Sequence, residues 1–323
     1  MAALLERLGV ELPIVQAGMG GGIARGDLAA AVSEAGGLGT LGIMPAPGLA
    51  NELAKARRAT SKAIAVNLLL NLARARHWEV AREADVVVTF WGKPRRRTQN
   101  VWLHQCGSVE EATAARAAGA DGVIVQGVEA GGHVRGTTPA LELLGATRDA
   151  LPEGYPLLLA GGIAEPADVR RALDAGAEAA VLGTRFLMSE ESGARNAYKQ
   201  RLMESRETVL TELFGLGWPN APHRVIWNEA TERWLTGDHR GPGWVRAANR
   251  VTGPALARLP DKLQGQALRR QSASVPFLSP QPATDGTPKN LLDSGPLYAG
   301  ETVARIHDIR PAAGLVRELA AVG

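Results

Sequence analysis

With 323 residues, of which 45% are hydrophobic and 21% charged, the chain has the composition of a folded globular protein rather than a disordered one. Its formal net charge of +3 is small for this length, which argues against a nucleic-acid partner, and the lack of an apolar run of about eighteen residues argues against a membrane span. The single cysteine, Cys106, excludes an intramolecular disulfide and a thiolate metal site. Since no secretory signal is recognisable at the amino terminus, we expect a cytoplasmic protein without a bound metal.

Short apolar, β-branched runs alternate with helical segments along the first part of the chain. The predicted strands are Pro13–Gln16, Gly37–Gly42, Ala63–Leu68, Asp85–Phe90, Val101–Gln105, Gly122–Val125, Pro156–Ala160 and Ala179–Gly183. The predicted helices are Asp27–Ala35, Pro47–Thr60, Arg74–Glu83, a segment from Ser108 to Gly119, a segment after Pro139, and Pro166–Ala175. Eight strands alternating with helices predict an α/β fold, a closed TIM (β/α)8 barrel rather than an open doubly wound sheet.

One connection of this barrel is too short. Only the eight residues KPRRRTQN separate Gly92 from Val101, whereas a crossover between parallel strands needs about ten to twelve. The barrel is therefore predicted to lack a full helix after its fourth strand, leaving a notch beside Arg95–Arg97. Lys93–Arg97 is the one dense basic cluster, and no aromatic residue interleaves with it as a base-stacking platform requires. We interpret it as a solvated loop, with a docking patch for an acidic partner as the alternative.

After Thr184 the pattern changes. Glu190–Leu213 and Glu301–Val322 are predicted to be helical, while the prolines between Ser272 and Pro296 predict an extended wrap. The intervening region is rich in tryptophan, for which we expect mainly packing roles, at Trp218, Trp227, Trp234 and Trp244. The predicted domains are a barrel of residues 1–189 plus 296–323 and a mainly helical cap of residues 190–295.

Two glycine-rich loops follow the seventh and eighth predicted strands, Gly161–Ile163 and Gly183–Arg185. In α/β barrels these two loops frequently form a phosphate site, although glycines also serve simple tight turns. A third glycine run, Gly18–Gly22, resembles the start of a dinucleotide-binding fold. The following strand ends without the acidic residue that would hold a ribose, which argues against that interpretation.

The stretch Gln126–Gly136, QGVEAGGHVRG, follows the sixth predicted strand and combines glycines with a histidine. Glycines let a backbone approach a ligand closely, and histidine changes its charge near neutral pH. We therefore predict a cofactor-lined pocket with His133 as its acid or base, against the alternative of a hydrogen-bonded structural histidine.

Six motifs in order resemble the nitronate monooxygenases, formerly called 2-nitropropane dioxygenases. They are Gln16–Met19, Asn67, Gln126–His133, Ala160–Ile163, Leu182–Phe186 and Tyr298–Gly300. The resemblance implies a barrel that binds FMN, with the phosphate on Gly161, Gly162, Gly183 and Thr184. It places the flavin ring against Ala17, Gly18, Met19, Asn67, Gln126 and Gly132, and adds Gly131, Tyr298 and Gly300 to the cofactor site.

The same resemblance implies a function. His133 would take a proton from a nitroalkane and pair with the nitronate, and reaction with O2 would yield a carbonyl compound and nitrite. One alternative is an NAD(P)H-dependent FMN enoyl(-ACP) reductase of the same fold, in which Lys93–Arg97 docks an acidic carrier protein. Another is a non-catalytic flavin-binding protein. The residues leave open whether the chain forms a homodimer.

Overall fold

Parallel strands alternate with helices in the computed structural model, which describes residues 4–256 and 261–321. The strands are β1 (Ile14–Gln16), β2 (Gly39–Leu41), β3 (Ile64–Leu69), β4 (Val86–Phe90), β5 (Val101–Cys106), β6 (Gly122–Gln126), β7 (Gly132–His133), β8 (Leu157–Ala160), β9 (Ala179–Leu182), β10 (Val209–Thr211) and β11 (His223–Val225). The α-helices are α1 (Leu4–Arg7), α2 (Gly26–Glu34), α3 (Ala46–Ala59), α4 (Ala75–Ala81), α5 (Val109–Ala117), α6 (Ala140–Ala150), α7 (Pro166–Asp174), α8 (Thr184–Leu187), α9 (Asn196–Glu204), α10 (Glu229–Trp234), α11 (Gly243–Leu256), α12 (Asp261–Arg270), α13 (Leu291–Ser294) and α14 (Ala312–Ala320), with a 3-10 helix at Glu301–Arg305. Within the described residues, no helix has the length and apolarity needed to cross a membrane.

Eight of these strands form one parallel sheet in the order β1-β9-β8-β6-β5-β4-β3-β2. A bridge between Val15 and Leu38, with hydrogen bonds on both sides, joins the two end strands and closes the sheet into a barrel. The eight predicted strands are confirmed to within two residues at each end. Residues 91–100, all of which the structure describes, contain no helix, so the predicted short connection after the fourth strand is also confirmed.

Both faces of the barrel sheet are buried, because successive side chains of a strand point to opposite sides. On β4, Val86 and Val88 belong to the apolar cluster inside the barrel, to which all eight strands or their adjoining residues contribute. Val87, between them, packs instead with Leu49 and Leu53 of α3. Strands buried on both faces consist of uninterrupted apolar residues, which is the pattern that made them recognisable in the sequence.

The contact between α2 and β2 depends on Gly39. A Cβ at Gly39 would clash with the backbone carbonyl of Ala29, so Gly39→Ala must separate the helix from the strand. We expect it to lower the free energy of unfolding by about 1–3 kcal/mol, as overpacking does. Gly145→Ala is the matched control, because a Cβ at this position of α6 meets nothing within 4 Å and alanine favours helix by about 0.5–1 kcal/mol. Urea unfolding would contradict the prediction if both variants matched the parent.

Packing divides the chain into two units. We call residues 1–130, 135–193 and 308–323 the barrel unit, and residues 131–134 and 194–307 the second unit. The division predicted from the sequence differs in three places, one of which is residues 190–193, predicted in the cap but packed with the barrel unit. It also assigned residues 296–307 and the four residues 131–134 to the barrel, whereas both segments pack with the second unit.

The second unit contains a small antiparallel sheet, in the order β10-β11-β7, together with its helices. The prediction of helix throughout Glu190–Leu213 is wrong, since only Asn196–Glu204 is helical. The β-branched residues around Val209–Thr211 favour extended backbone and pair with β11. The predicted helix Glu301–Val322, whose last residue lies outside the described residues, is interrupted between the 3-10 helix and α14.

The proline-rich segment of the second unit contains no helix before α13, as predicted, but turns and bends interrupt it and it is not extended throughout. An apolar core forms around Phe214, Val225 and Leu278, with Trp227 and Trp234 packed against it. The packing role expected for most of the tryptophans is confirmed for these two.

Candidate active site

Two glycine loops of the barrel unit lie side by side. β8 and β9 are adjacent strands with Ala160 opposite Val181, so the loops that follow them leave the same edge of the sheet. Gly161 and Gly162 have φ angles of +109° and +71°, which side-chain-bearing residues rarely adopt. The nearest atom to a Cβ added at Gly162 would be Glu129 Cβ at 3.9 Å, so there is open space beside this turn. Gly183 and Thr184, at the start of α8, form the neighbouring loop.

Three strand ends converge next to Gly18. A Cβ at Gly18 would clash with Asn67 of β3 and would lie 3.1 Å from Thr40 Cγ2 of β2. Ala17 Cβ would lie 3.8 Å from a Cβ added at Gly183. The structure therefore brings together Ala17, Gly18, Asn67 and Gly183, which are spread over about 170 residues of sequence but belong to neighbouring barrel strands.

Three further polar or flexible side chains lie in this part of the barrel unit. Gln126, the last residue of β6, is buried, and its Oε1 accepts a hydrogen bond from Arg135 N at 3.4 Å. Met19 packs against the large apolar cluster between the sheet and the helices. Thr40 Oγ1 is buried without a hydrogen-bond partner among the described residues, a polar atom that a bound ligand could satisfy.

His133 belongs to the second unit. It lies in β7, opposite His223 of β11, and the strand continues with Val134 donating its N–H to Pro222 O at 2.8 Å. Gly132 has a φ angle of +73°, and a Cβ at Gly131 would clash with the backbone N of Gly300. Both glycines are thus required by the local backbone, and they hold His133 at the edge of the small sheet.

Aromatic rings surround His133. Its imidazole stacks on Trp218, with ring centroids 3.8 Å apart and an interplanar angle of 20°. The rings of His223 and Tyr298 lie 5.2 and 5.6 Å away. Part of the His133 residue is exposed, but its Nε2 is buried. Burial, and secondarily the proximity of His223, holds the pKa of His133 well below its ordinary value, so the imidazole is neutral at pH 7 and able to accept a proton.

His223 has a different role from its neighbour. Its Nε2 accepts a hydrogen bond from Phe214 N at 3.3 Å, which leaves Nδ1 to donate to Ala221 O at 2.8 Å. Burial lowers the pKa of His223 to about 4. Because both ring nitrogens are hydrogen-bonded and the ring is neutral, His223 has a structural role and packs beside His133. Sequence reasoning missed both His223 and Trp218 as neighbours of His133, because strands as short as β7 and β11 carry no periodicity that would pair them.

Tyr298 is fixed by two hydrogen bonds. Its hydroxyl donates to Pro280 O at 2.8 Å, and its carbonyl accepts a hydrogen bond from the Tyr198 hydroxyl at 2.7 Å. Burial raises the pKa of Tyr298, so the phenol stays protonated. The predicted residues Gly131, Gly132, His133, Tyr298 and Gly300 are thus assembled within the second unit, and Tyr298 contributes a ring face rather than an acid.

His104 and Cys106 of β5 are internal to the barrel unit. The Thr89 hydroxyl accepts a hydrogen bond from Trp102 Nε1 and is hydrogen-bonded to His104 Nδ1, both at 2.7 Å. Burial lowers the pKa of His104 to about 4 and raises the pKa of the Cys106 thiol. Neither a charged histidine nor a thiolate is available here, so both side chains have structural roles.

Acid should destabilise the protein through its buried histidines. The pKa values of His104 and His223 are lowered to about 4, and that of His133 is also lowered, from an ordinary value of 6.5. Because each histidine binds its proton more tightly in the unfolded chain, stability should be full above pH 6.5 and should fall as the pH drops towards 4. Urea unfolding near pH 5 should show uptake of about two to three protons, and His104→Gln should reduce this number by about one. A midpoint independent of pH between 7.5 and 5 would contradict the expectation.

Comparisons with known proteins identify one family model and several named relatives. The nitronate monooxygenase family model matches residues 2–94 and 93–321. A protein of Mycobacterium tuberculosis named (3aS,4S,5R,7aS)-5-hydroxy-7a-methyl-1-oxo-octahydro-1H-indene-4-carboxyl-CoA dehydrogenase is 29% identical, over 98% of this chain and 94% of its own length. A nitronate monooxygenase of Pseudomonas aeruginosa is 32% identical, over 69% of this chain and 80% of its own length. The crystal structure of a nitroalkane oxidase from Streptomyces ansochromogenes has a TM-score of 0.75 and 30% identity, covering 99% of this chain and 97% of that one.

Proposed function

Because the chain belongs to the nitronate monooxygenase family, whose members are flavin-dependent oxidoreductases, we propose that it uses FMN and O2 to convert a small nitronate or nitroalkane into a carbonyl compound and nitrite. The observation that carries the proposal is the neutral imidazole of His133 within an aromatic cluster. A group of this kind can remove an acidic C–H proton from a small uncharged substrate.

The barrel unit fits the FMN that the family implies. We propose that the phosphate binds the paired loops of Gly161, Gly162, Gly183 and Thr184. The positive φ angles and the open space beside Gly162 support this placement, because they leave the backbone N–H groups accessible to an anion. When bound, the flavin would supply the electron acceptance that amino-acid side chains lack.

The flavin ring is proposed to meet Ala17, Gly18, Met19, Asn67 and Gln126. Support comes from the convergence of Gly18 with Asn67 and from the buried, unsatisfied hydroxyl of Thr40 close by. A side chain at position 18 would clash with Asn67, so the backbone of Gly18 is left bare at the proposed ring site. The cofactor contacts that the resemblance assigns to the second unit, at Gly131, Gly132, Tyr298 and Gly300, stay predictions.

His133 is proposed to act first as a base and then as a cation. The α C–H bond of the nitroalkane breaks, its proton moves to an imidazole nitrogen, and the electron pair is delocalised onto the nitro oxygens as a nitronate. Burial disfavours the imidazolium in the resting protein, and the nitronate supplies the negative charge that stabilises it. The low pKa of His133 thus keeps the base unprotonated until an anion forms beside it.

Two measurements test this function. The purified protein should have a flavin absorbance spectrum, and adding a short-chain nitronate in air should release nitrite while consuming O2. A flavin-loaded protein that releases no nitrite from either nitronates or nitroalkanes would refute the proposal.

A second candidate function acts on a thioester. It is favoured by the match to the Mycobacterium tuberculosis CoA-ester dehydrogenase, which extends over 98% of this chain. Flavin-dependent oxidation or NAD(P)H-driven reduction next to a thioester carbonyl also needs a proton acceptor or donor, a role that His133 could fill. Rapid NADH or NADPH oxidation with a crotonyl thioester, without nitrite release from nitronates, would favour this candidate over the first.

A further inference from the structure

A cavity of about 460 Å³ opens at the carboxyl ends of β3 and β4, in the barrel unit. The two strands are adjacent, with Leu69 opposite Phe90, and the cavity lies between the residues that follow them. Its volume is within the range of about 300–1,000 Å³ typical of small-molecule sites, and the carboxyl ends of barrel strands are where α/β barrels bind ligands. The cavity lies at the position of the notch predicted from the missing helix after β4.

The cavity is strongly cationic. Lys93, Arg95 and Arg97 line it, and none of the described residues that form its wall is acidic. Within the part of the chain that the structure describes, none of these three side chains forms an ion pair or a hydrogen bond. Three uncompensated positive charges around one concave site attract a multiply charged anion.

Arg96, in the middle of the same run, behaves differently. It forms an ion pair with Asp121 at 3.2 Å and donates hydrogen bonds to the carbonyl oxygens of Thr98 and Asn100 at 3.1 and 3.2 Å. Arg96 thus anchors the loop to the barrel, and the residues on either side of it are presented to the cavity. The loop is therefore folded into a defined shape rather than being only a solvated charge run.

Two indole rings form the apolar part of the lining. Trp78 of α4 is buried, and the Arg97 guanidinium lies 5.7 Å from its ring centroid. Trp91 is half-buried and has a φ angle of +61°, a costly conformation for a bulky residue. Arg135 lies over Trp91 at 5.1 Å, but its charge is compensated by Glu111. Flat aromatic surface next to clustered cations is the combination that binds a purine base with its phosphates.

We propose that this cavity binds the phosphorylated adenosine of a CoA thioester, with the phosphates on Lys93, Arg95 and Arg97 and the purine against Trp91. Binding of a phosphorylated adenosine does not depend on which reaction the protein catalyses. The identification of that ligand as CoA rests on the second candidate function. The same chemistry occurs in NADPH, which carries its extra phosphate on the ribose 2′ oxygen instead of the 3′ oxygen. A carrier protein is disfavoured because the charges line a concavity of small-molecule size.

Isothermal titration calorimetry of the purified protein with CoA, adenosine 3′,5′-bisphosphate and adenosine 2′,5′-bisphosphate tests the proposal. CoA and the 3′,5′ compound should bind, and the double variant Arg95→Ser/Arg97→Ser should raise both Kd values at least about tenfold. Arg58→Ser/Arg116→Ser is the charge-matched control, because Arg58 on α3 and Arg116 on α5 are exposed and do not line the cavity. Trp91→Leu should weaken binding of the adenosine bisphosphate but not of inorganic pyrophosphate.

The outcomes separate the ligand sources. Preference for the 2′,5′ compound and NADPH would overturn the CoA assignment. The site itself would be overturned if none of the three adenosine compounds bound, or if the double variant bound them as well as the parent does. It would also be overturned if the protein bound only an acidic acyl carrier protein and the double variant lost that binding. These binding measurements do not depend on the flavin reaction. Nitrite release by a protein that does not bind CoA would refute only the cavity proposal. CoA binding by a protein that releases no nitrite would refute only the proposed function.

Discussion

Replacing His133 with glutamine should lower kcat for a nitroalkane by about 10²–10⁴-fold, the usual contribution of a positioned general base. Glutamine can retain a planar polar group against Trp218 but cannot accept the substrate proton. The neutral state of His133 in the folded protein means that this capacity is present at pH 7 and is lost on substitution. The measurement is the initial rate of nitrite release at saturating substrate, expressed per mole of bound flavin.

His223→Gln is the matched control, since His223 lies directly opposite His133 in the small sheet. This variant loses the hydrogen bonds with Phe214 N and Ala221 O and should unfold at a lower temperature. Its kcat per folded molecule should stay within about threefold of the parent. Equal losses of kcat in both variants would indicate that packing of the aromatic cluster, rather than proton transfer, is responsible. Undiminished turnover by His133→Gln would refute the role of His133 as the base.

The choice of substrate separates the two proposed actions of His133. A nitroalkane must lose its α-proton, whereas a preformed nitronate has already lost it. If His133 acts mainly as a base, His133→Gln should lose turnover of the nitroalkane while retaining much of the turnover of the corresponding nitronate. If ion pairing with the nitronate dominates, the two losses should be similar.

The barrel could be predicted because its determinants are local. Runs such as Val86–Phe90 are apolar throughout, since both faces of a parallel strand are buried, and the helices between them have their own periodicity. The paired loops after β8 and β9 were predictable for the same reason, because sequential units of a barrel are neighbours in space. What the sequence could not provide was a contact such as that of Gly18 with Asn67, which depends on the exact approach of two backbones.

The second unit was predicted less well because its determinants are not local. Its sheet joins Gly132–His133 to strands that follow some 75 to 90 residues later, and two or three residues are too few to show a period of two. The stacking of Trp218 on His133 follows from that pairing and could not be foreseen without it. Likewise, three consecutive arginines are chemically identical in sequence, yet Arg96 anchors the loop while Arg95 and Arg97 line a cavity.

Gly162→Asp should yield a protein that purifies without colour. The substitution places a side chain in the open space beside the β8 loop and adds a negative charge where the FMN phosphate is proposed to bind. Like-charge repulsion at such short range, together with loss of access to the backbone N–H groups, should reduce the flavin-to-protein ratio from near one to near zero. Absorbance of the purified protein measures this ratio directly and does not require a known substrate.

Backbone strain alone could also explain a damaged variant, and Gly154→Asp isolates it. Gly154 has a φ angle of +75°, nearly the same as the +71° of Gly162, and a Cβ added there meets nothing within 4 Å. Both variants therefore incur the same left-handed penalty of about 1–2 kcal/mol, but only Gly162 belongs to the proposed phosphate loop. Loss of flavin from Gly162→Asp with retention in Gly154→Asp would locate the phosphate at the β8 loop. A yellow Gly162→Asp protein with full flavin content would place the phosphate elsewhere, and equal flavin loss in both variants would attribute the effect to strain.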